Sequence, residues 1–320
     1  REETYADISP VRLDKNGVSG FISIMRGCDN MCTFCVVPFT RGRERSRNPL
    51  TVIAEAKDLY NRGYREVTLL GQNVDSYRWN ISKKGEIINP ENTTTNFAEL
   101  LALVAEVAPD LRVRFSTSHP KDMTDDVLRT MASYKNICNY IHLPVQSGNS
   151  EILKKMNRGY SREWYLERIK AIKTIIPDCA ISTDIITGFC GETDQQHEET
   201  LSLLKEVEFD FAYMFYYSER PKTLAERKYE DDVPLNTKKS RLQEVIDLQH
   251  IHSKKKNESV IGNIYEVLVE GNSKKSDQML SGRNDQNNKV VFPRENAKTG
   301  QFVNVKIERC TTATLIGKII

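Results

Sequence analysis

Three cysteines within eight residues are the part of the chain best suited to chemistry. Cys28, Cys32 and Cys35 follow the spacing C-x3-C-x2-C, with no fourth cysteine or histidine close by. A structural zinc ion normally takes four protein ligands, so zinc would need one from a remote position. The remote candidates are His119, His142 and Cys138. A cubane iron–sulfur cluster instead accepts three cysteines and keeps one iron open for another ligand. We therefore expect an iron–sulfur cluster at this triplet.

A run of arginines follows the cysteines at alternate positions. The four residues are Arg41, Arg43, Arg45 and Arg47. Guanidinium groups form forked hydrogen bonds with phosphate oxygens, and such contacts make nucleic-acid affinity dependent on salt. The run therefore predicts a phosphate-binding segment beside the cysteines, on extended chain before a helix that begins near Pro49. The alternative is a solvated loop tethered by Glu44 and other carboxylates.

The overall composition limits the class of protein. The chain has 320 residues, with 46 Lys and Arg against 44 Asp and Glu, so any nucleic-acid-binding surface must be local. No apolar stretch approaches the ~18 residues that a membrane helix needs, so we expect no membrane association. Seven cysteines, of which three cluster, make a poor disulfide framework. We therefore expect a cytoplasmic protein in a reducing compartment.

The elements that position these residues alternate between strands and helices. The predicted strands cover 20–25, 66–71, 111–118, 140–145, 180–188 and 210–218. The predicted helices cover 48–63, 96–108, 124–133, 161–176 and 193–207. Six strands separated by helices indicate right-handed crossovers and a parallel sheet with helices outside it. An α/β partial (β/α)6 barrel is the favoured fold, and a flat doubly wound sheet remains open from the pattern alone.

The pattern changes after residue 232. A connecting helix is predicted over 233–257, and short strands with Gly and Asn turns follow over 258–320. About sixty residues of this kind are typical of a small antiparallel β-barrel in the OB-like size range. We therefore divide the chain into a lead-in segment (1–19), the partial barrel (20–232), the helix and the terminal barrel.

The cysteine spacing, with the aromatic Phe34 directly before the last cysteine, resembles the signature of radical S-adenosylmethionine enzymes. Further segments resemble, in order, the landmarks of the methylthiotransferases of that superfamily. They are "LLGQNV", "RFSTSHP", "HLPVQSG", "STDIITGFCGET" and "FYYSERPKT", with "SGRNDQNNKVVF" resembling the TRAM domain. The resemblance covers residues 5–320. It departs at Cys190, where many relatives have proline, and we expect Cys190 to be a small buried apolar residue.

The resemblance implies the cofactors and their contacts. A [4Fe-4S] cluster on the three cysteines would bind S-adenosylmethionine at its open iron and cleave it to a 5′-deoxyadenosyl radical. Residues beside the cluster or at strand ends are predicted to contact the cofactors. They are Phe34, Gln72, Asn73, Ser116, Gln146 and Asp184. No catalytic residue is assigned beyond the cluster.

The resemblance also implies the partners. The substrate would be the anticodon stem-loop of a tRNA, in which N6-isopentenyladenosine beside the anticodon receives a 2-methylthio group. Basic residues of the terminal barrel would extend the RNA surface of the arginine run. They are Lys274, Lys275 and Arg283. We further expect a flavodoxin- or ferredoxin-type electron donor and a monomer.

The family carries a preceding domain with three more cysteines that hold a second [4Fe-4S] cluster. The chain starts at Arg1, and its other cysteines are scattered, so we expect it to supply only the radical-generating and RNA-binding parts. Two alternatives stay open. The same chemistry could act on threonylcarbamoyladenosine tRNA or a ribosomal-protein aspartate, or the chain could be a non-catalytic, cluster-containing RNA-binding module.

Overall fold

The computed structural model of the protein describes residues 17–82, 84–274 and 276–320. Most of the predicted lead-in segment, and Lys275, lie outside the described residues. The helices are α1 (Val37–Arg41), α2 (Pro49–Asn61), α3 (Phe97–Ala105), α4 (Asp125–Ser133), α5 (Ser150–Lys155), α6 (Arg162–Ile175), α7 (Asp194–Val207), α8 (Leu224–Lys228) and α9 (Leu235–Ser259). Within these three stretches, every helix is too short or too polar to traverse a lipid bilayer.

Six strands form the wall of the large domain. They are β1 (Ser19–Ser23), β4 (Glu66–Leu70), β7 (Arg112–Ser116), β8 (Tyr140–His142), β9 (Ala180–Thr187) and β10 (Phe211–Tyr216). Two antiparallel ribbons lie beside them. Their strands are β2 (Met25–Arg26), β3 (Arg45–Ser46), β5 (Arg78–Trp79) and β6 (Thr95–Asn96). Each of the six lies where the sequence predicts a strand, although all six end one to three residues earlier than predicted.

The strand order distinguishes the two folds that the sequence left open. Strands β1, β4 and β7 form one parallel sheet and β8, β9 and β10 another, and a bridge between Val113 and Ile137 links the two. The order along the wall is therefore the order along the chain, without the reversal that characterises a doubly wound sheet. This confirms the predicted partial (β/α)6 barrel.

Local sequence explains why the helices begin where they do. Asn48 precedes Pro49 and accepts a hydrogen bond from the Leu50 amide, so α2 has both a side-chain cap and proline in its first turn. Asn96 and Glu99 form a reciprocal capping box at the start of α3. These caps fix the loops that lead from strand ends into helices, and those loops carry the predicted site residues.

The two faces of the wall differ in chemistry. Side chains that point toward the helices, such as Ile22, Leu69 and Ile185, are fully buried in one large apolar core. Burying each such side chain contributes about 1.5–3 kcal/mol. Successive side chains along each strand point to opposite faces. The face away from the helices carries partly exposed polar residues such as Thr68 and Asp184. The inner wall of the half-barrel is therefore open to a polar ligand.

The terminal domain is a closed five-stranded barrel with its own core. Its strands are β11 (Ile264–Ser273), β12 (Ser276–Arg283), β13 (Lys289–Pro293), β14 (Phe302–Cys310) and β15 (Leu315–Ile319). They close in the order β11-β12-β13-β15-β14. Four pairings are antiparallel as predicted, whereas β13 and β15 pair in parallel. Closure leaves the small sheet without a free edge.

Two buried arginines join the domains at the amino ends of the barrel strands. Arg114 Nε donates to Glu66 Oε2 over 2.7 Å, and its Nη1 donates to the Asp285 carbonyl over 2.8 Å. Arg112 Nη1 donates to the carbonyl of Arg283 over 2.9 Å. Since the cysteines follow the first strand, the terminal barrel docks at the opposite end of the sheet from them.

Candidate active site

The cysteine loop is an excursion between two short strands at the carboxyl end of the wall. Strands β2 and β3 pair antiparallel, with Met25 opposite Ser46, and close the base of this loop. Gly27 has a φ of 74°, and a Cβ there would overlap the Arg43 carbonyl. Glycine is therefore required directly before Cys28, because the two ends of the loop approach too closely for a side chain.

The segment after α5 holds the middle of the cysteine loop. The Thr33 amide donates to the Met156 carbonyl over 3.0 Å, and Thr33 Oγ1 donates to the Lys155 carbonyl over 2.9 Å. Asn157 Nδ2 donates to the Met31 carbonyl over 2.8 Å. Three hydrogen bonds therefore fix the backbone on both sides of Cys32, so the sulfurs sit on a preformed loop.

The three thiols are shielded from water to different degrees. Cys32 is buried, whereas Cys28 and Cys35 are partly exposed, and none is in a disulfide. Burial raises the pKa of the Cys28 thiol to about 11 and also raises that of Cys35. Without a bound metal the Cys28 and Cys35 thiols stay protonated at neutral pH, so metal binding to these two must displace protons.

The donor set distinguishes a cluster from a single zinc ion. Among the described residues, no three His, Cys, Asp or Glu side chains converge where they could hold one metal ion. Thiolates on a single zinc must all lie within about 2.3 Å of it. In a cubane, three cysteines bind three different irons and stand further apart. Three thiol donors without a fourth ligand are the donor set that a cubane needs, and among the described residues none of His119, His142 and Cys138 joins the triplet in a group that could hold one metal ion.

A buried arginine contacts one of the three sulfurs. Arg158 Nη1 donates to Cys32 Sγ over 3.3 Å, and the side chain is almost completely buried. A buried guanidinium favours an anion beside it, and a metal-bound thiolate is one. The pair therefore supports metal binding at the triplet.

Polar atoms without partners collect beside the cysteine loop, at the ends of β4 and β7. Buried side-chain atoms in the described chain that lack a hydrogen-bond partner include Gln72 Oε1, Asn73 Oδ1, Asp75 Oδ2 and both ring nitrogens of His119. Buried polar atoms are normally paired, and each unpaired one costs about 1–3 kcal/mol. Such a group of atoms indicates a polar ligand, and two of these residues, Gln72 and Asn73, are predicted cofactor contacts.

The remaining predicted cofactor contacts occupy different positions. Ser116 is partly exposed at the end of β7, and Phe34 packs against a small apolar cluster around Met156 and Phe189. Gln146 is buried with a φ of 76° and bonds through its backbone to β9. Asp184 lies in the middle of β9 rather than at its end. The strand-end position assigned to Asp184 was therefore wrong, because the residue lies inside both the predicted strand 180–188 and the observed strand β9.

Comparisons with known proteins place this site in a family. The model of the radical SAM superfamily matches residues 22–204, and the TRAM domain model matches residues 258–320. The tRNA-2-methylthio-N(6)-dimethylallyladenosine synthase of Amoebophilus asiaticus is 63% identical over 100% of this chain and 66% of its own length. The enzyme of the same name from Christiangramia forsetii is 61% identical over 100% of this chain and 68% of its own length. The chain belongs to this family of radical SAM enzymes.

Two further facts qualify the likeness. The chain spans about two thirds of the length of the curated relatives that it matches. Coproporphyrinogen III oxidase from Escherichia coli has a TM-score of 0.51 and 15% identity, and the alignment covers 84% of this chain and 67% of that one. At this identity the likeness concerns the fold alone. Membership of the radical SAM superfamily implies a [4Fe-4S] cluster and S-adenosylmethionine as cofactors.

The four arginines of the run lie in different local structures of this family member. Arg41 ends α1, and Arg43 is exposed and pairs with Asp29 over 3.3 Å. Arg45 is exposed in β3, where it lines a cavity of about 440 Å3 together with Arg78 and Lys121. The segment is therefore not extended throughout as predicted, because a short helix and a turn interrupt it.

Arg47 differs from the other three arginines. It forms an ion pair with Glu55, and its Nε donates to Thr51 Oγ1 over 3.0 Å. Its Nη1 also donates to the Ser23 carbonyl over 3.3 Å. These bonds tie the strand end to α2, so the structure gives Arg47 a structural role and does not support the predicted RNA contact.

The basic residues predicted on the terminal barrel also differ from one another in position and contacts. Lys274 is exposed at the β11–β12 hairpin, and Lys275 lies outside the described residues. Arg283 pairs with Glu270 over 3.3 Å and lies at the junction with the large domain. Arg283 lies where the domains meet, at the end of the sheet opposite the cysteines, and its predicted RNA contact stays a prediction.

Sequence reasoning missed two residues of the site. Arg158 was not singled out, although the order Asn-Arg-Gly after a short helix is a turn signal that can place a side chain inward. Asp75 was not singled out either. It is fully buried, accepts a hydrogen bond from Ser118 Oγ over 3.2 Å, and burial raises its pKa well above the usual range. Such burial cannot be read from a polar turn in the sequence.

Proposed function

We propose that the chain carries the radical-generating and RNA-contacting part of a tRNA methylthiotransferase. The named activity of its relatives yields 2-methylthio-N6-dimethylallyladenosine, so the substrate would be N6-dimethylallyladenosine (N6-isopentenyladenosine) beside the anticodon. A [4Fe-4S] cluster with S-adenosylmethionine supplies a 5′-deoxyadenosyl radical in this superfamily. The role of the chain would be to bind the cluster and S-adenosylmethionine, exclude water from them and present the base to them.

Cys28, Cys32 and Cys35 are the proposed ligands of the cluster. The observation that carries this proposal is the preformed loop, in which backbone bonds from Thr33 fix the sulfurs and a buried arginine points at the central one. A buried cation beside a thiol would oppose folding unless the sulfur carried negative charge. A metal-bound thiolate meets that requirement.

S-adenosylmethionine would occupy the polar group of atoms beside the loop. Its amino, carboxylate and ribose groups offer the donors and acceptors that Gln72, Asn73 and His119 lack. Asn73 is already oriented, because its Nδ2 donates to Asp122 Oδ2 over 2.7 Å. Ser116 and the backbone of Gln146 complete the same edge of the wall.

The inner wall of β10 offers a surface on which a base can stack. Phe211, Tyr213 and Phe215 are 46%, 49% and 55% exposed although they are aromatic. The intervening Ala212 and Met214 face the helices. A base can only reach the cofactors after it leaves its stack, which costs little in a loop. Stacking on an aromatic side chain would repay about 1–3 kcal/mol.

The RNA backbone would be held at the carboxyl edge of the wall. Arg41, Arg43 and Arg45, with Arg78 and Lys121 at the adjoining cavity, offer cationic side chains beside the cysteine loop. Lys274 would contact more distant phosphates. We extend the proposal to a monomer in the cytoplasm that receives electrons from a flavodoxin- or ferredoxin-type donor, since the radical step consumes one electron per cleavage.

The test is cofactor cleavage by the anaerobically reconstituted chain. With reductant and S-adenosylmethionine, wild-type protein should release 5′-deoxyadenosine, and Cys28→Ala should not. Cys310→Ala is the matched control, because Cys310 lies in the terminal barrel and should have no effect. Absence of 5′-deoxyadenosine from iron-loaded wild type would contradict the proposal and favour a non-catalytic RNA-binding module.

A second comparison tests the substrate. An isopentenylated anticodon stem-loop should bind more tightly than the unmodified one and should increase 5′-deoxyadenosine release. Equal binding and equal release with both RNAs would contradict the dimethylallyl assignment and favour the threonylcarbamoyladenosine alternative.

A further inference from the structure

We propose that Arg158 is a positioning residue that acts on the cluster through Cys32 and raises the reduction potential of the cluster. The inference rests on the proposed function, because it requires Cys28, Cys32 and Cys35 to hold the cluster. Two observations carry it: the rigid delivery of the guanidinium to the Cys32 sulfur, and the lack, among the described residues, of a carboxylate that would neutralise its charge.

The backbone delivers Arg158 from a strained turn. Asn157 has a φ of 56° and Gly159 a φ of 75°, so the two residues that flank Arg158 are both in the left-handed region. The Asn157 side chain also bonds the Met31 carbonyl in the cysteine loop. The turn that places the guanidinium therefore also holds the loop that carries the sulfur.

The guanidinium is fixed by two further bonds. Arg158 Nε donates to the Tyr160 hydroxyl over 2.9 Å, and Nη2 donates to the Pro144 carbonyl over 2.7 Å. The Tyr160 hydroxyl in turn donates to carbonyls at the end of β8, including that of Val145 at 3.1 Å. With these bonds in place, Nη1 has one orientation, toward Cys32 Sγ at 3.3 Å.

No carboxylate of the described residues pairs with the charge of Arg158. The side chain is only 5% exposed, and no ion pair joins it to an Asp or Glu within the part of the chain that the structure describes. By contrast, the buried Arg114 and Arg241 each contact a buried glutamate. Buried charges are normally paired with an opposite charge. We therefore expect the Cys32 sulfur, rather than a carboxylate, to be the anion that pairs with Arg158.

This placement affects the two oxidation states unequally. One-electron reduction adds a negative charge to a cluster that its thiolates already make anionic. A fixed positive charge and an N–H···S bond stabilise the reduced state more than the oxidised state, and hydrogen bonds to ligand sulfurs raise potentials. Removal of the charge should therefore make the cluster harder to reduce. We expect roughly a tenfold change in the reduction equilibrium, which is about 59 mV for a one-electron couple.

The experiment measures the midpoint potential of the reconstituted chain by electron spin resonance during anaerobic redox titration. Arg158→Gln should lower the potential by about 59 mV. Arg158→Lys keeps the positive charge but loses the forked N–H groups of the guanidinium, so it should lower the potential less. Arg168→Gln is the control, because Arg168 bonds the Met123 carbonyl and Asp125 between two helices away from the loop. An unchanged potential in Arg158→Gln with full iron content would overturn the inference.

A second measurement can overturn the inference in the wild-type chain alone. Wild-type chain grown with 15N-labelled arginine should show a nitrogen coupling to the reduced cluster in pulsed spin resonance, and Arg158→Lys should lose it. A labelled, iron-loaded wild type without that coupling would contradict the inference. Wild type that binds no iron would instead contradict the proposed function, so the two failures are distinguishable.

Discussion

His142 Nε2 lies 3.3 Å from Asp184 Oδ1 on the inner wall of the half-barrel, and His142 Nδ1 lies 2.8 Å from Ser182 Oγ. The Tyr140 hydroxyl lies 2.7 Å from the same serine oxygen. The Tyr213 ring meets the His142 ring edge to face, with centroids 5.6 Å apart. A chain of polar contacts therefore crosses β8 and β9 beside the exposed aromatic residues, below the strand ends where the cofactor would bind.

The first prediction concerns Asp184. Asp184→Asn should leave cluster content and S-adenosylmethionine affinity unchanged but lower RNA-dependent cofactor cleavage at least roughly tenfold, because it disturbs the wall that faces the base. Ser116→Ala, at a strand end, should instead weaken cofactor affinity. Binding and turnover assays with the stem-loop separate the two effects. A large loss of cofactor affinity in Asp184→Asn would show that Asp184 contacts the cofactor after all.

The second prediction separates two arginines of the run. Arg43→Ala should weaken RNA binding and reduce the slope of log affinity against log salt by about one, because one phosphate contact is lost. Arg47→Ala should leave that slope unchanged and lower the free energy of unfolding by about 1.5–3 kcal/mol, because its charged hydrogen bonds are structural. RNA titrations at several salt concentrations and denaturant unfolding measure both. A reduced slope in Arg47→Ala would contradict the structural role.

The third prediction follows from His119. Burial and the nearby Arg158 guanidinium lower the pKa of His119 to about 2, against about 6.5 in an unfolded chain. Below pH 6.5 the unfolded chain binds a proton at this residue that the folded chain does not, so stability falls as the pH falls. Between pH 7 and 5 the loss from His119 is about 2 kcal/mol.

His119→Phe tests this directly. Phenylalanine keeps a ring beside Tyr160, whose centroid lies 5.7 Å away, but cannot take up a proton. Denaturant unfolding of the iron-free chain from pH 7 to 5 should therefore show a shallower loss of stability in the variant. Equal pH profiles for wild type and variant would mean that His119 is accessible to protons in the folded state.

The fourth prediction concerns the turn that contains Cys190. The Glu192 amide donates to the Phe189 carbonyl over 2.9 Å, and Gly191 has a φ of 70°, which together define a type II turn with Cys190 at its second position. Cys190 is buried among apolar side chains, in agreement with the predicted small apolar role. Proline suits this position, so Cys190→Pro should stabilise the chain by about 0.4–1 kcal/mol.

Gly191→Ala is the opposite test of the same turn. Alanine at this position would have to keep the φ of 70° that Gly191 adopts, which residues with a side chain rarely do. Its Cβ would also lie 2.7 Å from Lys155 Nζ. Thermal unfolding should therefore show a loss of stability. If Cys190→Pro destabilised the chain as well, the expectation that this type II turn accepts proline at position 190 would be wrong.

The regular elements of the fold followed from local sequence. Asn96 with Glu99, and Asn48 with Pro49, are strong start signals, and the alternation of strands and helices predicted the half-barrel. The short helices α1, α5 and α8 were missed, because one or two turns carry too little periodicity to be recognised. The cysteine triplet could be recognised because its spacing alone defines a ligand set.

The chemistry of buried charges could not be read from local sequence. In the segment that became β7, Arg112 and Arg114 look like the solvent side of a strand, whereas they contact the terminal barrel. Asp184 was grouped with the strand-end residues, although it lies three residues before the end of β9. Arg158 meets Cys32 from a position 126 residues away, and only the folded chain brings the two together.

The most direct test of the central claim is the spin-resonance spectrum of the anaerobically reconstituted, reduced chain, recorded with and without S-adenosylmethionine. The account predicts about four irons per chain and a cubane signal that changes when S-adenosylmethionine binds the open iron. Cys28→Ala should lose the signal, and Cys310→Ala should keep it. Protein that retains zinc, takes up no iron and shows no response to S-adenosylmethionine would contradict the account.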